Sequence, residues 1–387
     1  MFGGTILKKV FLSILGGDGI NPFSIMGALL PPDASGKYII ESEGIRLAFV
    51  RKGGALANLW INDTNCRELD VVLGFDNSSL YETYPGPHTL NGAIGRYAGV
   101  ISNGEFELNG QNHYPSKNHR DGKSTLHGGN KGWGQMTLYP AAKTKNSITF
   151  VVFDRGNNGF PGRAAASLTH TLTPYEWRIA YGVTPLVAAF PISLSQQVFW
   201  NLGGFLSPSS SSDPAEESST RLRDHSLHLP FSGMRLDADE HGIPTGDIKG
   251  NPPNSTFDYW SRPRAPSEPL DDTFLVNRRQ PWDMHAAPVA TLANNHSGIK
   301  LDLYTNQEAL HTVTWEQPEG ALKRKRSQGE GDIPSHAAIS LQMQDWTDAI
   351  SHPEWQREAE TIWGADRLYT MYTSYKFSVR RDVGSCG

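Results

Sequence analysis

From Lys37 onward the chain is written in short segments whose apolar residues return at every second position. Tyr38-Ile39-Ile40-Glu41-Ser42 and Ile45-Arg46-Leu47-Ala48-Phe49-Val50 alternate in this way, as do Ala166 to Leu172 and Ile299 to Tyr304. A period of two is that of an extended strand, whose successive side chains point to opposite faces, one buried and one wet. Ser147 to Phe153 is another such run, closed by Arg155-Gly156-Asn157-Asn158-Gly159. Phe106 to Tyr114 predicts a hairpin with Asn109-Gly110 at its turn, because both residues tolerate the positive φ a tight hairpin demands. Helical stripes are scarce, and Glu354 to Gly364 is the best candidate. Strands at roughly 8–12-residue spacing with Gly and Pro between them predict an all-β antiparallel sandwich.

The 387 residues suffice for one extensive core, and no repeat or sharp boundary divides them. We therefore expect one domain over residues 37–387, preceded by an extension over residues 1–36. Within that extension Lys8-Lys9 and the short apolar run Val10 to Leu15 have the order of a secretory leader, which leaves cytoplasmic and secreted routes both open. Ser207 to Ser219 reads as a surface loop. Net charge is −5, so there is no basic field for a nucleic acid partner. The one basic run, Lys323 to Arg326, reads as a solvated loop. No apolar stretch is long enough to span a membrane. Cys66 and Cys386 have no metal-ligand spacing, and a disulfide between them is undecided by sequence.

Chemistry-bearing residues are few. His127 in Leu126-His127-Gly128-Gly129 stands against glycines that let a ligand approach the backbone, although a histidine beside a turn is more often structural. Arg96 lies in the otherwise apolar Ile94-Gly95-Arg96-Tyr97, where an ion pair is the plain reading. Asp271 and Asp272 precede an apolar strand, where turn capping would explain them.

Taken in order, these segments resemble the aldose 1-epimerase (galactose mutarotase) family from about Gly36 to Val379. The matching blocks are Gly95 to Phe106, Asn118, Leu126 to Gly129, Gly132-Trp133, Gly159 to Gly162, Pro191 to Leu202, Asp271, and Leu341 to Ala349. The resemblance implies a large antiparallel β-sandwich of the mutarotase-like (supersandwich) type that binds a pyranose on its concave face without a cofactor or metal. Carried over residue by residue, Arg96, His127, Asp271 and Asn118 would hydrogen-bond the sugar, and Trp133 and Trp200 would wall its apolar face. The family moves protons with a histidine and a glutamate. At those two positions this chain has Gln197 and Gln342, and Val100 replaces an expected second arginine.

A carboxamide donates and accepts hydrogen bonds but does not titrate. Three readings follow. The chain is an epimerase-like isomerase or cyclase of a sugar or sugar-like, hemiacetal-bearing ligand (a secondary metabolite is one such source) with changed chemistry. It is instead a silent sugar-binding protein. Or it is an ordinary epimerase in which His127 or Asp271 has taken a proton role; for the first reading His88, His113, His119 and Asp345 are spare titratable groups.

Overall fold

The computed structural model describes residues 30–84, 90–156, 158–186, 188–205, 222–278, 284–318, 320–364 and 366–380. Two antiparallel sheets pack face to face. The larger has eight strands in the order Tyr139–Lys143, Ser147–Asp154, Ala164–Thr173, Glu176–Pro185, Tyr369–Val379, Ile299–Thr305, Ala290–Asn294 and His225–His228. The smaller has six, in the order Phe199–Trp200, Ile339–Gln344, Ala309–Thr314, Asp271–Leu275, Met234–Ala238 and Pro244–Gly250. A four-stranded sheet of residues 38–70 extends the core.

The alternation in the sequence is the alternation of burial. Along Ala164–Thr173 every second residue is buried without a break. The buried set (Leu168, His170, Leu172) meets Trp177, Ile179 and Tyr181 of the next strand. At the centre, Trp177 stacks on Tyr375 at 4.9 Å between ring centroids, and Trp200 of the six-stranded sheet closes on both from the opposite side. Aromatic pairs of this kind contribute about 0.5–1.5 kcal/mol each beyond the area they bury.

His170 occupies a core position, against Phe49 and Trp177. Burial pushes its pKa down to about 3, and burial does the same to His225, whose Nε2 accepts from the Leu202 amide. In the unfolded chain both rings titrate near 6.5. Between those values the unfolded state binds protons that the folded state refuses. Stability therefore falls as pH drops from about 6.5, by up to about 1.4 kcal/mol per pH unit for each ring. His170→Phe removes one ring from this slope. Its urea-unfolding free energy should converge on, then exceed, that of the parent between pH 6.5 and 4. Parallel curves would refute the assignment.

Two expectations need correction. Glu354 to Gly364 is not one helix: a 3-10 turn over Pro353–Trp355 ends at Gln356, which adopts a left-handed φ of 56°, a single α turn follows at Glu358–Thr361, and Ile362–Trp363 pairs with Phe190–Pro191. The chain breaks there because Arg357 is drawn to Asp345 and Glu308 while the Trp355 indole donates to Gly246 O. Nor is the basic run all solvated, since Lys325 is fully buried against Asp70 at 2.6 Å. The 106–113 hairpin forms as expected, with positive φ at Asn109 and Gly110. Residues 1–29, Ser207 to Ser219, His88 and Cys386 lie outside the described residues, and Cys66 is not a free thiol. Among the described residues no helix is long and apolar enough to cross a membrane.

Candidate functional site

The six-stranded sheet has one face on the core and one turned away from it. Ile339, Leu341 and Met343 enter the core, so Ser340, Gln342 and Gln344 point the other way. Residues directly opposite in an antiparallel pair share a face. His311 pairs with Gln342, and Thr273 pairs with His311. The outer face therefore carries a row running Thr273, His311, Gln342, with Asp271 two residues from Thr273 along its strand.

Phe199 pairs with Ser340. Continuing that register back by two residues sets Gln197 opposite Gln342. Its neighbour Gln196 turns inward, where its Oε1 accepts from the Tyr181 hydroxyl and its Nε2 donates to Asn91 O. Gln197 is thereby left to the outer face. Gln197, Gln342 and Gln344 are all buried, and the side-chain oxygen of each lacks a hydrogen-bond partner among the described residues. Buried amide oxygens of this sort are exceptions in folded proteins and call for an explanation.

Next to the amides lies a hydrogen-bonded chain of titratable and hydroxyl groups. His311 Nε2 is 3.3 Å from Asp271 Oδ1, and His311 Nδ1 is 3.0 Å from Thr273 Oγ1. Thr273 meets Thr347 Oγ1 at 2.9 Å, and Gln344 Nε2 donates to Thr347 at 2.8 Å. Arg120 reaches the other oxygen of Asp271 at 3.3 Å. Burial alone would raise the Asp271 pKa. The hydrogen bond and charge of His311, with the charges of Arg120 and His119, bring it below the ordinary carboxylate value. The Asp271 side chain keeps 47% of its surface accessible, against 16% for His311.

His127 comes to this region through Gly99. The Gly99 amide donates to His127 Nδ1 at 3.1 Å, so Nδ1 is an acceptor and the ring's proton is on Nε2. A side chain at Gly99, whose φ is +81°, would meet Thr347 and Gln344 within about 3 Å. The 95–101 loop thus lies against the amide row only because position 99 has no Cβ. Asn118 acts on His127 from behind: its carboxamide accepts from the Leu126 amide and donates to Leu126 O.

Three expected sugar contacts are corrected by their surroundings. Arg96 is 1% exposed and bonds Asp154 through Nε and Nη2 and the carbonyls of Pro161 and Gly162, while its plane covers Phe190. Trp133 donates its indole N–H to the same Asp154. Burial alone would raise the Asp154 pKa, but the Arg96 charge and these hydrogen bonds hold it below the ordinary value. Trp200 is fully buried between Trp177, Tyr375 and Phe377. These three side chains fix the loop and core beneath the site. Arg120, Thr273, His311, Gln344 and Thr347 were not anticipated as site residues. Strand parity alone put His311 opposite Leu310 in facing, but only the register showed what stands beside it. Of the spare groups, His113 stacks on Phe106, His119 faces Asp121, and Asp345 is taken by Arg357.

Farther along the same face the lining becomes apolar. Met234, Ile248, Leu275, Val276 and Trp346, with Asn277, Arg278 and Glu308, form a groove of about 300 Å³. Leu275 is two residues from Thr273, so the groove continues the polar row. Among the described residues no group of His, Cys, Asp or Glu could hold a metal ion.

A large two-sheet β-sandwich of this form is of the galactose mutarotase-like class. Among solved structures it is similar to the GalM/aldose epimerase homologue from C. elegans, with a TM-score of 0.75 at 20% identity over 89% of this chain and 99% of that one. The family model for aldose 1-epimerase matches residues 37–376, and the chain belongs to that family. It is 47% identical to Epimerase FSL3 of Gibberella zeae over 93% of this chain and 88% of that protein. To the galactose mutarotase of Homo sapiens it is 27% identical, over 89% and 94% respectively.

Proposed function

We propose that this protein is an isomerase that opens and recloses a cyclic hemiacetal with an apolar substituent, held on the outer face of the six-stranded sheet. The observation that carries the reading is the pair Gln197 and Gln342. Strand parity sets both on the outer face, both are buried, and each has an amide oxygen without a partner among the described residues, at the positions where the family resemblance puts the acid and base. Their carboxamides are suited to orient the hydroxyls of a polyol or lactol, and they cannot exchange protons with it. The apolar groove beside Leu275 supports a ligand that is sugar-like at one end and greasy at the other. Burying an alkyl chain there would contribute about 0.8 kcal/mol per methylene.

Exchange-spectroscopy NMR tests this with two probes: D-galactose, and a six-membered lactol bearing a pentyl chain. We expect anomer exchange above the buffer rate for the lactol and no such acceleration for D-galactose. Strong acceleration of D-galactose would instead make the protein an ordinary aldose 1-epimerase with relocated proton carriers. If neither exchange is accelerated while calorimetry shows either probe bound, the second reading stands. That reading, a silent sugar binder, is favoured by the same two amides.

A further inference from the structure

Resting on the isomerase reading, we propose that Asp271 and His311 are the proton-handling pair of this site, in place of the positions held by Gln342 and Gln197. Three observations carry it. His311 is the cross-strand neighbour of Gln342 on the outer face, so its Cβ lies about 5 Å from the position whose side chain cannot titrate. Its Nε2 faces a carboxylate that ligand can reach. Its Nδ1 rests on the Thr273 hydroxyl, which can donate to a neutral ring or accept from a charged one. The ring can therefore gain and lose a proton without losing its partner. Catalytic histidines use an orienting group in the same way.

The anomeric hydroxyl and the ring oxygen of a hemiacetal hang from one carbon, so an adjacent acceptor and donor can meet both. The anomeric O–H gives its proton to the Asp271 carboxylate as the bond from the anomeric carbon to the ring oxygen breaks. The ring oxygen takes the Nε2 proton of the His311 imidazolium, and the anomeric carbon becomes a carbonyl. After that carbonyl turns over, the freed hydroxyl attacks it from the other side and returns its proton to His311. Asp271 gives its proton back to the new anomeric oxygen. Composition and oxidation state are unchanged, and each group ends as it began. Thr273 is a positioning residue. Charged and titratable groups around the pair are Asp272 on the same strand, Arg235 of the neighbouring Met234–Ala238 strand at 3.9 Å from Asp272, and Arg120 and His119 from the 118–124 loop. Gln342 and Thr347 complete its surroundings.

The test is anomer exchange of the pentyl lactol, and of D-galactose should that be the probe accelerated, from pH 5 to 9. We expect His311→Gln to lower the catalysed rate by about 10²-fold or more and to remove one limb of the pH profile. Asp271→Asn should lower the rate comparably. It should also remove the other limb of the pH profile, which a merely structural change would leave in place. An unchanged rate and profile in His311→Gln overturns the assignment and leaves the isomerase reading intact. An Asp271→Asn variant that keeps both the rate and the two limbs of the profile overturns it as well. No acceleration of either probe by the parent protein removes the isomerase reading, and this pair with it.

Discussion

Combining Gln197→His with Gln342→Glu is expected to create anomerase activity on D-galactose, raising the catalysed rate at pH 7 by about 10² or more over the parent. The reasoning is the reverse of losing a general acid or base, which typically costs about 10²–10⁴. Strand parity sets positions 197 and 342 on the outer face that also carries Asp271 and His311. An imidazole and a carboxylate there could take the roles that two amides cannot. Either single change would bury one titratable group among amides. The double change brings opposite charges together across the strand pair, so the double variant should be more stable than the sum of the singles predicts. Coupling between contacting residues of this kind is about 0.5–3 kcal/mol. Polarimetry on fresh α-D-galactose reads the activity. A double variant that folds with a sharp melting transition and stays at the buffer rate would mean these positions do not flank the ligand's anomeric centre.

The largest loss of stability is expected from Lys325→Met. The Lys325 ammonium and the Asp70 carboxylate are both shut off from solvent. Nζ also donates to Ala57 O at 2.7 Å, and Asp70 accepts from Asn58 Nδ2 at 2.6 Å. Burial pushes the Lys325 pKa down, with Asp70 pulling the other way. Gln328, three residues on, donates to Asp70 O and Val72 O, so the 325–328 turn is fastened to the edge of the four-stranded sheet. Truncating the lysine strands a buried carboxylate and should cost about 3–5 kcal/mol. The adjacent Arg326 has 93% of its side chain exposed, and Arg326→Met should stay within about 0.5 kcal/mol of the parent. Urea unfolding measures both. A Lys325→Met cost below about 1 kcal/mol would show that the pair contributes little.

Much of the site could be read only in part from the chain itself. His127 and Asp271 were picked out, and both lie at the row on the outer face. Arg96, Trp133 and Trp200 were picked out with them and turn out to serve the loop and core. A guanidinium and an indole are as useful for tying down a buried aspartate as for holding a sugar, and composition does not separate the two. Asp154, which decides the matter, is 58 residues from Arg96 in sequence and was not singled out. His311 was passed over because nothing in Ala309-Leu310-His311-Thr312-Val313-Thr314 marks one outward residue above another. Its meaning comes from standing between Thr273 and Gln342.

What the amino-acid order settled by itself was the extended backbone, the inner and outer faces of alternating runs such as Ala166 to Leu172, the hairpin at Asn109-Gly110 and the amides that stand at positions 197 and 342. These follow from steric preferences and side-chain chemistry acting over a few residues. The partners of Arg96, Lys325 and His311 were decided only by how distant strands pair. A charged side chain is solvated, buried or poised for proton transfer according to the neighbours that reach it, and in an antiparallel sandwich those neighbours come from remote parts of the chain.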